Sequence, residues 1–469
     1  MASPSYDAIV IGAGPGGYPC AIRMAQLGLR VCVVDRGSIG GVCLNWGCIP
    51  SKALIHVATT YERMQHATEM GLSCSGVSID WAKVMEWKNG TIQKLTGGIK
   101  GLFKSHKIDT VIGVAKFTAK DKVRVETAEG PRELQARNVV IATGARPVEI
   151  PTFKFDGKTV ISSKEALELE RIPKSLVLIG GGVIGLEIGT FYAKLGTQVT
   201  VVEMMPQLLP GIDPDLVQIV ARGLRKRNVT IHTKAQAKGV VVGPTGAKVT
   251  IGTEKGDLSI EAEKVLVAVG IRPNTDGLDL EKAGVLRNER GFLPVNERRQ
   301  TNVPGVYAIG DVTGGFALAH KATKEGIVAA ESIAGKKTAW DVRAMPAAIF
   351  TDPEIAVVGM TDTQAEQAGH EVKIGKFPFA ASGRALSTGE SEGYVKIVTD
   401  AKTDRILGVH IVGPEASNLI AEATLAMEVG ATAEDLSLTV HAHPTLPEVL
   451  MEASEAVHGL CIHVFQKEK

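Results

Sequence analysis

Short β-branched and aliphatic runs, each closed by small residues and followed by a helical pattern, recur along the chain. Ala8-Ile9-Val10-Ile11 leads into Gly12-Ala13-Gly14-Pro15-Gly16-Gly17, then a helix-like stretch to Gly28 and a second apolar run, Val31 to Val34, closed by Asp35. The same order returns with Leu176-Val177-Leu178-Ile179, Gly180-Gly181-Gly182-Val183-Ile184-Gly185, a helix to about Leu195, and Val199 to Val202 closed by Glu203. Strand, glycine turn, helix and second strand in that order predict two α/β units. Further apolar runs end in small residues at Val139 to Thr143-Gly144, at Val265 to Gly270 and at Val306 to Gly310-Asp311. The first two are expected to close their units in parallel; the third puts Asp311 at a strand's carboxyl end, where open α/β sheets bind ligands. From about residue 346 the glycine turns stop. Alternating stretches at Tyr394 to Val398 and Ile406 to Val412, then a helical pattern from Glu415 to Met427, predict an α+β domain with another task.

Each unit carries G-x-G-x-x-G, with an acid 18 residues after the third glycine in both copies. In a dinucleotide-binding turn the first glycine (Gly12, Gly180) permits the tight turn. The second (Gly14, Gly182) admits a pyrophosphate, and the third (Gly17, Gly185) lets helix and strand pack closely. Unpaired N–H groups at the helix start face the phosphates, and Asp35 and Glu203 are placed to accept from ribose hydroxyls. Two such units imply two dinucleotides.

Composition narrows the rest. A length of 469 residues predicts about three domains. With 52 basic against 51 acidic residues there is no broad field for nucleic acid or an anionic membrane, and 4% aromatic residues make no base-stacking platform. Met1 to Asp7 lacks the positive segment of a secretory leader, and the uncharged stretch from Ala8 to Ile22 is broken by glycines. A cytoplasmic protein without a membrane anchor is expected.

Six cysteines in so long a chain are no disulfide scaffold, so a close pair points to redox chemistry. Gly40-Gly41-Val42-Cys43-Leu44-Asn45-Trp46-Gly47-Cys48-Ile49-Pro50-Ser51-Lys52 holds two cysteines five positions apart. Five residues of regular helix rise about 7.5 Å, beyond the roughly 6.8 Å a disulfide tolerates between Cα atoms. The segment must therefore be distorted if the pair closes, and Gly47 and Pro50 supply the means. Lys52, four residues after Cys48, would share a helical face with it and favour its thiolate.

These residues resemble the dihydrolipoamide dehydrogenase family of flavoprotein disulfide oxidoreductases. The likeness covers essentially the whole chain in order: glycine motif, G-G-x-C-x4-C-x-P-S-K, A-T-G, second glycine motif, A-x-G-D and a terminal H-P-T-x-x-E. Ala319-His320-Lys321 with Glu325-Gly326, and His441-Ala442-His443-Pro444-Thr445, are similar to the lipoamide branch. Asp35 stands where the family usually has Glu, and Trp46 where a smaller residue is common. The resemblance implies an FAD-binding domain (1–147), an NAD-binding domain (148–274), a central segment completing the FAD site (275–345) and an interface domain (346–469). That is an α/β fold of two Rossmann-like domains plus a C-terminal α+β dimerisation domain.

By the same resemblance Cys43 is the interchange thiol and Cys48 faces the flavin. Thr143, Gly144, Asp311 and Ala319 belong to the FAD site, Gly270 to the NAD site, and Lys52 pairs with Glu187 beside the flavin. Glu187 is placed in the first turn of its helix, two residues after Gly185. A dithiol near neutral pH needs a base; His443 is the candidate, with Glu448 holding its other ring nitrogen. His441 reads as a packing or surface residue. The expected partners are lipoyl domains of acyltransferase components or H protein, and a second copy of the chain that shares the active site. No metal is expected. A sister reductase of glutathione or mercuric ion, or a non-catalytic assembly subunit, are the competing readings.

Overall fold

A computed structural model describes residues 5–466. Strand Ser5–Ile11 lies between Val31–Asp35 and the second half of Gly130–Ile141; Asp109–Ile112 and Val306–Ala308 extend the sheet, and all these neighbours run parallel. Ala8 to Ile11 and Val31 to Val34 are all buried, as expected for a parallel sheet covered on both faces. In the same sheet the first half of Gly130–Ile141 pairs antiparallel with Lys122–Thr127, which pairs with Val114–Ala119.

The second unit repeats the plan. Its parallel strands run in the order Thr230–His232, Gln198–Val202, Ser175–Ile179, Lys264–Val267, Val160–Ile161. A three-stranded antiparallel meander between Gln236 and Ala262 is inserted in it. A short antiparallel pair, Ala145–Pro147 with Ile271–Pro273, ties the two units together.

The C-terminal sheet has five antiparallel strands, ordered Ala347–Ile349, Glu354–Gly359, Ile406–Gly413, Tyr394–Asp400, Val372–Pro378. Every residue of Ile406–Gly413 is buried, so both faces of this strand are covered. Helices Ala416–Val429 and Glu448–Val457 pack on this sheet, and so does Pro214–Lys226 of the second unit. The polar positions lose water to these helices and find partners instead. Lys396 bonds Asp213, the N-cap of helix Pro214–Lys226. One apolar core joins all three parts: Leu54 and Ala58 of the helix after Cys48, Leu186 and Phe191 of the second glycine unit, and Ile349, Ile355 and Val412 of the C-terminal sheet.

Candidate active site

The two glycine turns divide their labour identically. A Cβ on Gly12 or Gly180, both at positive φ, would run into the carbonyl oxygen of Ala142 or Ala268 at the end of the neighbouring strand. A Cβ on Gly17 or Gly185 would strike the carbonyl oxygen of the first glycine. The middle glycines differ. Nothing lies within 4 Å of a Cβ on Gly182, and only the Gly41 Cα, at 3.7 Å, near one on Gly14. Two glycines thus serve the protein's own packing, and the third leaves room that a side chain would fill. Helices Gly17–Gln26 and Val183–Lys194 begin without a side-chain cap. In the first, the Tyr18 N–H already bonds the Gly14 carbonyl and Pro19 has none, so an anion there would meet the Gly17 N–H and the glycine turn before it. The donor set and the open cradle fit two dinucleotides.

The acids that close the second strands are held alike. Asp35 accepts the Ala13 N–H at 2.9 Å and Glu203 the Gly181 N–H at 2.6 Å, each the residue after the first glycine. Asp35 also accepts from Gly37 and Ser38, and Glu203 from Met205. Each carboxylate is thereby fixed against its glycine turn with acceptor capacity left over. At the joint between the units, Thr143 Oγ1 donates to the Asn274 carbonyl at 2.8 Å, and Asn274 donates back to the Thr143 and Gly144 carbonyls. Gly270, at positive φ, stands beside that joint, and a Cβ there would meet nothing within 4 Å.

Cys43 and Cys48 form a disulfide with Cα atoms 4.5 Å apart. Helix Gly41–Trp46 stops at Gly47, whose ψ of −112° breaks the ladder, and a new helix, Cys48–Gln65, starts at once. A Cβ on Gly47 would sit 2.9 Å from the Val42 carbonyl oxygen and 3.2 Å from the Cys43 Cα, so only glycine lets the second helix begin this close. Pro50 does not make the break. It lies in the first turn of the second helix, where no intrahelical N–H is missed. Gly41 packs on Gly14, which a Cβ at Gly41 would approach to 2.5 Å, so the redox segment rests on the first glycine turn. Trp46 is capped by the Lys164 ammonium, 5.0 Å from its ring centroid.

Lys52, one turn after Cys48, reaches Glu187 with Nζ 2.7 Å from Oε2. Glu187 is only 5% exposed and is the fifth residue of helix Val183–Lys194, so it stands just past the first turn where the sequence reading put it. Its second oxygen accepts the Phe350 N–H at 3.0 Å, and the Phe350 ring lies 4.3 Å from Lys52 Nζ. Phe350 carried no signal in the sequence: it merely ends a short apolar run, directly after the three-residue strand Ala347–Ile349.

Asp311 sits half-buried in the turn Gly310–Thr313, and burial pushes its carboxyl above the ordinary range despite nearby Lys321. The turn is fastened by Glu325, fully buried, which accepts from the Gly310 N–H at 2.7 Å, Arg299 at 3.0 Å and Lys321 at 3.1 Å. Ala319 opens the helix that carries both Lys321 and Glu325.

His443 stands apart from these groups, 79% exposed, with Nδ1 2.8 Å from Glu448 Oε1. Burial would raise the Glu448 carboxyl. The Thr445 N–H on its other oxygen and the contact with His443 outweigh that and hold it below the usual range. An ionised Glu448 can only accept, so Nδ1 carries the hydrogen and Nε2 keeps a free lone pair. Among the described residues nothing bonds Nε2, no group of acidic, histidine or cysteine side chains is arranged to hold a metal, and no helix is long and apolar enough to cross a membrane.

A disulfide poised between two dinucleotide cradles defines a flavoprotein disulfide oxidoreductase. The chain belongs to the pyridine nucleotide-disulphide oxidoreductase family, whose model matches residues 6–326, with its dimerisation domain matching residues 345–454. FAD and NAD are its cofactors. The chain is 48% identical to the dihydrolipoyl dehydrogenase of Geobacillus stearothermophilus, over 98% of both chains. It is 48% identical to that of Thermus scotoductus, over 99% of this chain and all of the other. Among solved structures, LpdA from Mycobacterium tuberculosis superposes with a TM-score of 0.89 at 28% identity, over 96% of this chain and 99% of the other. The HOCl-induced flavoprotein disulfide reductase RclA from Escherichia coli does so with 0.86 at 29%, over the same shares.

Proposed function

We propose that this protein oxidises dihydrolipoamide, presented on a lipoyl domain of an acyltransferase or on H protein, and delivers the electrons to NAD. The observation that carries this reading is the exposed His443 with its Nδ1 hydrogen on Glu448, in a chain whose Cys43 and Cys48 are already joined. Nε2 takes the proton of one substrate thiol. The thiolate attacks Cys43, the Cys43–Cys48 bond breaks, and Cys48 leaves as a thiolate beside the Lys52 cation. The second substrate thiol, deprotonated in turn, displaces Cys43 and closes the lipoamide ring, leaving the protein pair reduced by two electrons. FAD, when bound, supplies the two-electron relay from that pair to NAD.

Gly12, Gly14, Gly17, Asp35, Thr143, Gly144, Asp311 and Ala319 would hold FAD. Gly180, Gly182, Gly185, Glu203 and Gly270 would hold NAD, and the Lys52–Glu187 pair would stand where the two meet. His443 lies in the C-terminal domain, 395 residues after Cys48, and acts across a homodimer, each C-terminal domain serving its partner's disulfide. The domain limits proposed are those read from the sequence. NADH formation from dihydrolipoamide tests the activity; turnover only with glutathione disulfide or mercuric ion would overturn it. Co-expressing Cys43→Ser with His443→Ala chains tests the sharing. The isolated mixed dimer should recover about half the wild-type activity, because one site then holds both lesions and the other neither. An inactive mixed dimer would place both groups in one chain's site.

A further inference from the structure

His441 has both ring nitrogens committed to acceptors. Nδ1 lies 2.8 Å from the Thr439 carbonyl oxygen, and Nε2 lies 2.8 Å from Oε1 of Glu422 on helix Ala416–Val429. The side chain is 5% exposed, so water does not substitute for either bond. A carbonyl oxygen can only accept, which puts a hydrogen on Nδ1. A neutral imidazole has one N–H, so the bond to Glu422 requires one further proton, on the ring or on the carboxyl. Imidazole is the stronger base by about two pH units in water, so the proton belongs to the ring.

We propose that His441 is a positioning residue: a standing imidazolium that neutralises Glu422, fixes the turn carrying His443, and sets the pH below which His443 is lost as a base. The inference rests on reading His443 as the base. His441 is two residues from His443, and its charge reaches the same dyad, where it helps hold the Glu448 carboxyl down. The other charged groups facing this turn are Glu448 on helix Glu448–Val457, and Glu415 and Arg384, which share with Glu422 and Pro444–Pro447 a cavity of about 520 Å³. If His441 were protonated, the pair would have no net charge; if neutral, Glu422 would stand beside the base as a bare anion.

The test is the acid limb of kcat/KM for dihydrolipoamide in the FAD-loaded dimer of His441→Gln and of His441→Gln/Glu422→Gln. The single variant exposes the Glu422 charge and should move the limb to higher pH by about 0.5 unit or more. The double variant restores zero charge and should bring the limb back to the wild-type position. A limb unmoved in the single variant, or one below wild type in the double variant, shows a neutral His441 and overturns the proposal. A fall in kcat with both limbs in place would mean a merely structural residue and overturns it equally. Should the single variant fail to bind FAD, the double variant alone decides by its limb. His443→Gln, assayed alongside, tests the base itself: retained turnover would sink the reading of His443, whereas an unmoved limb beside an inactive His443→Gln sinks only the role of His441.

Discussion

Replacing Asp352 by Asn removes one charge from a cluster that clamps three parts of the fold. Lys194 ends the helix that carries Glu187, and its Nζ lies 2.5 Å from Asp352, 3.3 Å from Glu62 and 2.8 Å from Thr59 Oγ1. Arg227 reaches Glu62 at 2.6 and 3.0 Å and Asp352 at 2.7 Å. Glu62 and Thr59 belong to the helix that begins at Cys48, and Asp352 follows Phe350 by two residues. The same three segments therefore meet twice, once at Lys52, Glu187 and Phe350 and once here. Breaking a buried ion pair costs about 3–5 kcal/mol. Asp352 is 39% exposed, and Glu62 still serves both cations in the variant, so about 2–3 kcal/mol is expected. Lys194→Met should cost less, about 1 kcal/mol, because the charge it strands falls on carboxylates more open to water than Lys194, which is 2% exposed.

Acidity offers a second check on the same cluster. Burial works to raise the Glu62 and Asp352 carboxyls, yet Arg227 and Lys194 overcome it and leave both below the ordinary range. Carboxyls depressed by folding stabilise the protein above their unfolded value, about 4, and that contribution is lost as pH falls through the folded values. Wild type and Asp352→Asn should accordingly differ at neutral pH and converge below about pH 4. The assay is thermal unfolding of the FAD-loaded protein followed by flavin fluorescence across that range. A larger loss in Lys194→Met than in Asp352→Asn, or a difference that persists undiminished in acid, would refute the reasoning.

Three further outcomes are expected. Cys43→Ser should retain a Cys48 thiolate able to donate charge to oxidised FAD and show a long-wavelength absorption band, while Cys48→Ser should not; the reverse pattern would exchange their roles. Glu203, pinned by two backbone N–H groups against the second glycine turn, would face a 2′-phosphate without relief, so kcat/KM should favour NAD over NADP, and equal values would contradict this. Gly47→Ala forces the Val42 carbonyl aside and should destabilise the redox segment by about 1–3 kcal/mol, read as a lower melting temperature and slower reduction of the disulfide; unchanged values would show that the helix break tolerates a Cβ.

Much of the chemistry was legible along the chain because it is local. A glycine turn, the acid 18 residues on, and two cysteines flanking a glycine are fixed by backbone geometry over a few residues, and parallel strands announce themselves as unbroken apolar runs. His443 and Glu448 lie close enough in sequence to be paired by eye. The failures were also local. Pro50 sits harmlessly in a first turn, where position in the helix rather than residue type decides its effect. Glu187 was placed one residue too early, since a helix start is not sharply encoded.

What the tertiary structure alone decided depends on contacts between distant segments. The alternation at Ile406 to Val412 pointed to an α+β domain but not to what covers its sheet: helices from two domains pack on it, and Lys396 answers burial by pairing with an acid 183 positions away. No pattern marked Phe350, whose backbone N–H and ring are recruited only because the C-terminal domain docks against the Lys52–Glu187 pair. The Glu62, Lys194, Arg227 and Asp352 cluster could not be read from any one stretch, for in the sequence each member alone is indistinguishable from a solvated charge, and only folding buries Lys194 among the others. His441 marks the boundary between the two sources. Its motif was visible from the start, but its proton follows from two acceptors, one of them on a helix that only folding brings beside it.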